Sequence, residues 1–281
     1  MRYGASLPFT DWHDVTALRD YAQALEGAGM DYAMLQSHIL SVREGRIPDE
    51  PWFHTLGPFR EPMVLFAYLA GQTQRIVLRT AVLILPLYST ALLAKQAADV
   101  SIISGGRLEL GVSVSWNKLE YEAMAQDHAS RGRRLEEQVT LLRKMFTEQF
   151  VTFEGRWHKL DDIGVNQLPP PIPIFIGTGN EERLLRRAAR LGDGWLPLWD
   201  PVEALPTLHR LLEEEGRDVR AFQVGYRMLA GPDGPKSWVA AARRFQSAGV
   251  TDLSIAARAE SKAESLATII KCRDVLREEL G

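Results

Sequence analysis

The stretch IFIGTGNEERLLRRAARLGDGW, residues 174–195, holds the clearest chemistry in the chain. An apolar run ends at Ile176, and Gly177, Thr178, Gly179 and Asn180 then open a helical pattern. Glycines let a ligand approach the backbone closely, and the unpaired amides of a helix start attract an anion such as phosphate. A tight turn closed by an Asn cap would leave the same letters. No Gly-Lys-Ser/Thr follows, so the segment is not a P-loop. A second segment, ELGVSVSWN at 109–117, places Ser113 and Ser115 two apart at the end of an apolar strand. Both would face one side if the strand continued, and a solvated strand end would look alike. The Gly-x-Gly-x-x-Gly spacing of a dinucleotide fold is missing there. His38, in LQSHIL, follows another apolar run and is either structural or a proton carrier, since imidazole titrates near neutrality. Thr80 lies within RTAVLILP, where a buried hydroxyl usually meets a nearby carbonyl.

These segments must be held by regular elements. Strand patterns begin at residues 3, 31, 75, 107, 172, 194, 223 and 252, and helical patterns cover 16–28, 62–72, 90–103, 131–147, 181–191, 201–215, 235–247 and 261–279. Eight strands, each followed by a helix, predict a single-domain (β/α)8 TIM barrel over residues 1–281, with insertions in its βα loops. Asp200, Pro201 and Glu203 predict a capped helix start, and Pro235 a second one. Gly29, Gly192 and Gly249 each suit a left-handed helix end. Two long irregular stretches stand outside the repeat, 37–61 and 148–171, and FVTFEGRWHKL in the second reads as a hairpin. His38, Thr80, Ser113–Ser115 and the 177–180 segment all fall where predicted strands end. A barrel gathers those ends around one pocket.

The bulk numbers are those of an ordinary globular protein: 281 residues, 46% hydrophobic, 25% charged, net charge −3. A nucleic-acid binder needs a basic footprint, which is missing here. The apolar run 76–87 is interrupted by Arg79 and is shorter than a membrane span, and the N-terminus has no apolar signal core. A cytoplasmic protein is expected, with no membrane or nucleic-acid partner. The lone Cys272 excludes an intrachain disulfide. His13, His38, His54, His128, His158 and His209 show no ligand-like spacing, so no metal site is predicted.

REPMVLFAYLAGQTQRIVLRTAVLILPLYSTALLAKQAADVSIISGGRLELGVSVSWNKLEYEAM resembles the bacterial-luciferase-like family of flavin and deazaflavin oxidoreductases. RGRRLEEQVTLLRKMFTEQFVTFEGRWHKL and PPPIPIFIGTGNEERLLRRAARLGDGW continue the likeness in order, so it spans roughly two thirds of the chain. The resemblance implies a (β/α)8 fold binding FMN or coenzyme F-420, the ring lying over the strand ends. It places His38 beside the ring or substrate. Thr80, Ala81 and Val82 would wall the ring, often with a non-proline cis peptide there. Ser113, Val114, Ser115 and Trp116 would run past the ribityl chain, and Gly177, Thr178, Gly179 and Asn180 would hold the phosphate. Departures stand out: Ser113 and Ser115 replace two family glycines, and Trp116 stands where the deazaflavin sugar-phosphate dehydrogenases carry a glutamate. Those enzymes also have Asp-His where this chain has Ser37-His38, so their substrate is not expected here.

The implied function is a luciferase-like oxidoreductase or monooxygenase, with reduced FMN oxygenating a small organic substrate, or with F-420 exchanging a hydride. Trp52, Phe53, His54 and Phe59 could exclude water from the reaction. Arg183, Arg186, Arg187 and Arg190 could receive the acidic tail of F-420 or form a solvated helix face. A flavin reductase and a homodimeric state are implied by the family. A non-catalytic flavin-binding relative and a metal-dependent barrel hydrolase are the other classes considered.

Overall fold

The structure, a computed structural model, describes residues 1–8, 14–43, 46, 59–258 and 261–281. The expected contributions of His13, Trp52, Phe53 and His54 lie outside them. Strands β1 (Arg2–Ser6), β2 (Tyr32–Leu35), β3 (Val77–Thr80), β4 (Leu83–Ile84) and β5 (Leu108–Ser113) form the first half of the barrel. After a hairpin of β6 (Val151–Glu154) and β7 (Lys159–Ile163), β8 (Ile174–Thr178), β9 (Gly194–Pro197), β10 (Gln223–Ala230) and β11 (Asp252–Ala257) complete it. The sheet order is β3-β2-β1-β11-β10-β9-β8-β5-β4, and pairing of β3 with β5 closes it. β3 and β4 are two pieces of one stave, so eight parallel staves surround the lumen, as the alternating pattern predicts. The predicted single run 75–84 is divided at Ala81–Val82, whose peptide bond is cis.

Helices α1 (Val15–Gly27), α2 (Pro62–Ala70), α3 (Thr90–Ser104), α4 (Lys118–Ala123) and α5 (Arg131–Thr147) alternate with the strands, followed by α6 (Glu182–Leu191), α7 (Leu205–Glu214), α8 (Pro235–Ala248) and α9 (Lys262–Leu280). Parallel strands covered on both faces read as continuous apolar runs, and β2 (YAML) is buried at every residue. Pro235 opens α8, and Gly249 closes it with φ +108°. Two expectations shift. The Asp200–Glu203 start gives way to a loose turn, with α7 beginning at Leu205, because the Asp200 carboxylate accepts from the Val202 amide and pairs with Arg244 at 2.6 Å. Gly192 is extended (φ −87°, ψ 158°), so it ends α6 without the left-handed turn expected of it. Cys272 is buried in α9, where burial pushes its thiol up to about 12, so it packs as a small apolar group at neutral pH.

The lower lumen is charged. Arg79, 1% exposed, donates Nε to Glu109 at 2.5 Å and Nη2 to Asp252 at 2.6 Å, while Arg2 donates to Glu109 at 2.9 Å. The Tyr32 and Phe175 rings lie 4.3 and 4.1 Å from the Arg79 guanidinium. Gly4 makes room for that stack, since a Cβ there would sit 2.3 Å from the Tyr32 ring. Two cations thus meet two carboxylates, which satisfies the requirement that buried charges be paired.

Candidate active site

Above this layer, at the C-terminal ends of the staves, lies a cavity of about 580 Å³. His38 reaches it from the end of β2, Ala81 and Val82 from the break in the third stave, Ser113–Trp116 from the exit of β5, and Gly177–Gly179 from the exit of β8. Leu196 and Leu198 of the β9 end and Gly225, Tyr226 and Arg227 of β10 complete the wall. Of the twelve predicted site residues, ten therefore line one space. Thr80 and Asn180 are not among the lining residues. The Thr80 hydroxyl is fully buried and donates to the Gly111 carbonyl at 2.7 Å, tying two staves together.

The exit of β5 differs from its sequence reading. The strand ends at Ser113, whose hydroxyl donates to the Gly177 carbonyl at 2.8 Å. Ser115 is left-handed (φ +56°), so the strand does not continue and the serines do not share a face. Ser115 Oγ accepts from the Asn117 amide at 3.3 Å, and Trp116 rests on the rim, 37% exposed. Crowding by the third stave and by β5 suits glycine at 177: a Cβ would lie 2.7 Å from Val82 Cγ1 and 3.3 Å from Ser113 Cβ.

Sequence reasoning missed Glu120. It sits on α4, 1% exposed, and Nδ1 of His38 meets its Oε2 at 2.8 Å. Asn117 Nδ2 donates to the same oxygen at 3.0 Å, and the Ile39 and Leu40 amides donate to Oε1 at 2.8 and 3.2 Å. Burial alone would raise the Glu120 carboxyl, but the hydrogen bonds from His38 and from the Leu40 and Ile39 amides outweigh it and hold it below the usual carboxylate range. An ionised carboxylate at Nδ1 favours a proton on that nitrogen and fixes the ring. The Phe59 ring braces the imidazole at 4.9 Å. In sequence, NKLE reads as an Asn cap with an acid at N3. The cap is present, Asn117 Oδ1 accepting from the Leu119 amide at 3.1 Å, but the acid serves the 38–40 segment.

At the exit of β8, α6 begins after Glu181, and Asn180 Nδ2 donates to the Asp200 carbonyl at 2.8 Å. Thr178 Oγ1 and Asn180 Oδ1 are buried without a hydrogen-bond partner among the described residues. The arginine cluster that follows divides. Arg186 pairs with Glu214 and Glu182 and Arg190 with Glu136, on the outer surface. Arg187 alone of the four lines the cavity, its Nε held by Glu136 at 2.9 Å. Among the described residues, no three His, Cys, Asp or Glu side chains gather as a metal site, and no helix is long and apolar enough to cross a membrane.

Comparison with known proteins agrees with this architecture. A family model described as luciferase-like monooxygenase matches residues 1–268. An uncharacterized protein of Mycobacterium tuberculosis is 34% identical over 271 residues, covering 92% of this chain and 90% of that protein. An F420-dependent glucose-6-phosphate dehydrogenase of Kineococcus radiotolerans is 29% identical over 211 residues, 71% of this chain and 59% of the enzyme. Among solved structures, an F420-dependent secondary alcohol dehydrogenase in complex with an F420-acetone adduct superposes with a TM-score of 0.84 at 13% identity, covering 98% of this chain and 99% of that one.

Proposed function

The chain belongs to the luciferase-like monooxygenase family, and from that premise we propose that it is an oxidoreductase binding reduced FMN, or alternatively coenzyme F-420, across the barrel mouth to act on a small organic substrate beside His38. The observation that carries the reading is the convergence of His38, Ala81–Val82, Ser113–Trp116 and Gly177–Gly179 on one cavity of about 580 Å³. The residues present fit a phosphorylated ring cofactor. Thr178 Oγ1 is a buried hydroxyl without a partner among the described residues, Arg187 lines the same cavity, and no carboxylate lines it among them. Ala81, Val82 and Ile84 offer an apolar wall for the ring.

When bound, reduced FMN supplies the electrons for oxygenating a substrate, whereas reduced F-420 supplies a hydride. The chain's own part is binding, orientation and proton movement. Glu120 stays ionised and aims the imidazole of His38, whose Nε2 accepts a proton from the substrate or returns one. Phe59 and the apolar wall keep water from the reacting atoms. With FMN, a flavin reductase would supply the reduced cofactor.

Fluorescence-quenching titrations of the purified protein with FMN and with F-420 test this reading. One of the two is expected to bind at micromolar concentration or below, and Arg187→Ala to weaken it about tenfold, the size of one charge-assisted contact. Failure of both cofactors to bind the intact protein would refute the assignment. An unchanged affinity in Arg187→Ala would remove that residue from the phosphate site.

A further inference from the structure

Arg227 takes no part in the phosphate loop or the His38–Glu120 pair. It stands on β10, separated from β8 by β9, and the two-residue period puts it on the same face as Gly225 and Leu229. The cavity is lined by Arg79, Arg187, Arg227 and His38, with no Asp or Glu among the described residues, although the chain as a whole carries a net charge of −3. Arg79 is compensated by Glu109 and Asp252, and Arg187 by Glu136. No hydrogen bond or ion pair joins Arg227 to any described residue. It is thus the one lining arginine whose charge is left uncompensated among them. The same cavity is lined by apolar or aromatic groups, Leu196 and Pro197 of β9, Leu198 just beyond it and Tyr226, and Leu198 is 67% exposed. Low-dielectric walls focus the field of such a charge, and a planar guanidinium holds a carboxylate or phosphate by two parallel hydrogen bonds.

We propose that Arg227 determines substrate specificity, pairing with an anionic oxygen group, carboxylate or phosphate, on a substrate whose apolar remainder rests on the Leu196–Leu198 wall. The proposal rests on the reading of this cavity as the reaction site. The acidic tail of F-420 carries the same anionic chemistry, and the experiment separates the two sources.

Octanoate and 1-octanol, equal in chain length and differing in charge, are titrated into the full-length protein by calorimetry, with and without FMN. Wild type is expected to bind octanoate at least about tenfold more tightly, Arg227→Gln to abolish that preference, and Arg227→Lys to restore part of it. The affinity for FMN is expected to be the same in wild type and Arg227→Gln. Equal or undetectable binding of both probes to wild type, or a preference that survives in Arg227→Gln, overturns the proposal. Loss of F-420 affinity in Arg227→Gln with the octanoate preference intact assigns the arginine to the cofactor tail instead, which also overturns it. A wild-type protein that binds neither FMN nor F-420 refutes the cofactor reading in a separate titration and leaves the comparison of octanoate with octanol standing.

Discussion

Arg79 and Arg227 line the same cavity and differ in almost everything else. Arg79 is buried on the floor between two aromatic rings, with Glu109 and Asp252 as its counter-charges. Arg227 stands near the mouth, exposed, in a cavity that leucines and a tyrosine also line. A charge surrounded by matching partners belongs to the fold, because breaking the set would strand the others in a low dielectric. A charge in a concavity without a counter-charge among the described residues is open to an anionic ligand, whereas Arg187 would have to share its guanidinium between Glu136 and such a ligand. Glu120 combines the two: it is buried like Arg79 and satisfied four times over, yet one partner is the histidine that lines the cavity.

The largest effect should come from the floor. Arg79→Met leaves Glu109 and Asp252 with only the partly exposed Arg2 as counter-charge and is expected to cost about 3–5 kcal/mol in urea denaturation. A loss below 1 kcal/mol would mean that the floor is hydrated and the distinction between floor and mouth is wrong. Next, Glu120→Ala removes the acceptor of four hydrogen bonds, for an expected loss of about 2 kcal/mol at pH 7. Glu120 is depressed in the folded protein, so its contribution is present above the ordinary glutamate value of about 4.3 and fades as pH falls through the lower folded value. The stability gap between wild type and Glu120→Ala should therefore narrow below about pH 4. A gap that is constant with pH would mean that the charge of Glu120 contributes nothing. In turnover with the cofactor that binds, Glu120→Gln should lower kcat by roughly 10²-fold and leave KM within a factor of a few, as expected for a residue that orients a general acid–base.

At the small end, Arg227→Gln should move stability by less than about 0.5 kcal/mol, since no partner among the described residues is lost. Arg186→Ala, on the outer face of α6, should do the same and leave the FMN affinity unchanged, because half-exposed ion pairs contribute little. A clear loss of cofactor affinity in Arg186→Ala would show that the arginine cluster acts as a unit and that Arg187 has no special place in it.

The barrel was legible because its signal is local and repeated. Period-two and period-3.6 runs alternate along the chain, and α5 occupies the 131–147 span that its apolar spacing marks. The site was legible only as a set of strand ends. Ser113 and Ser115 looked equivalent in sequence, yet a single left-handed residue turns one toward Gly177 and the other back onto its own loop. The Thr80 hydroxyl meets a carbonyl, as a buried threonine was expected to, but the partner was not legible, because the Gly111 carbonyl comes within reach only in the closed sheet. Glu120 was hidden by ambiguity, since an acid three residues after an Asn cap has a purely local explanation that needs no distant histidine.

The sequence by itself determined the alternation of strand and helix, the glycine-rich exit of β8 and the family likeness, because each depends on residues close together in the chain. The tertiary structure decided which charges are partnered. Arg79 finds Asp252 across 173 positions, and His38 finds Glu120 across 82. Coulombic and hydrogen-bond energies depend on distance in space and on burial, and neither can be read from separation along the chain.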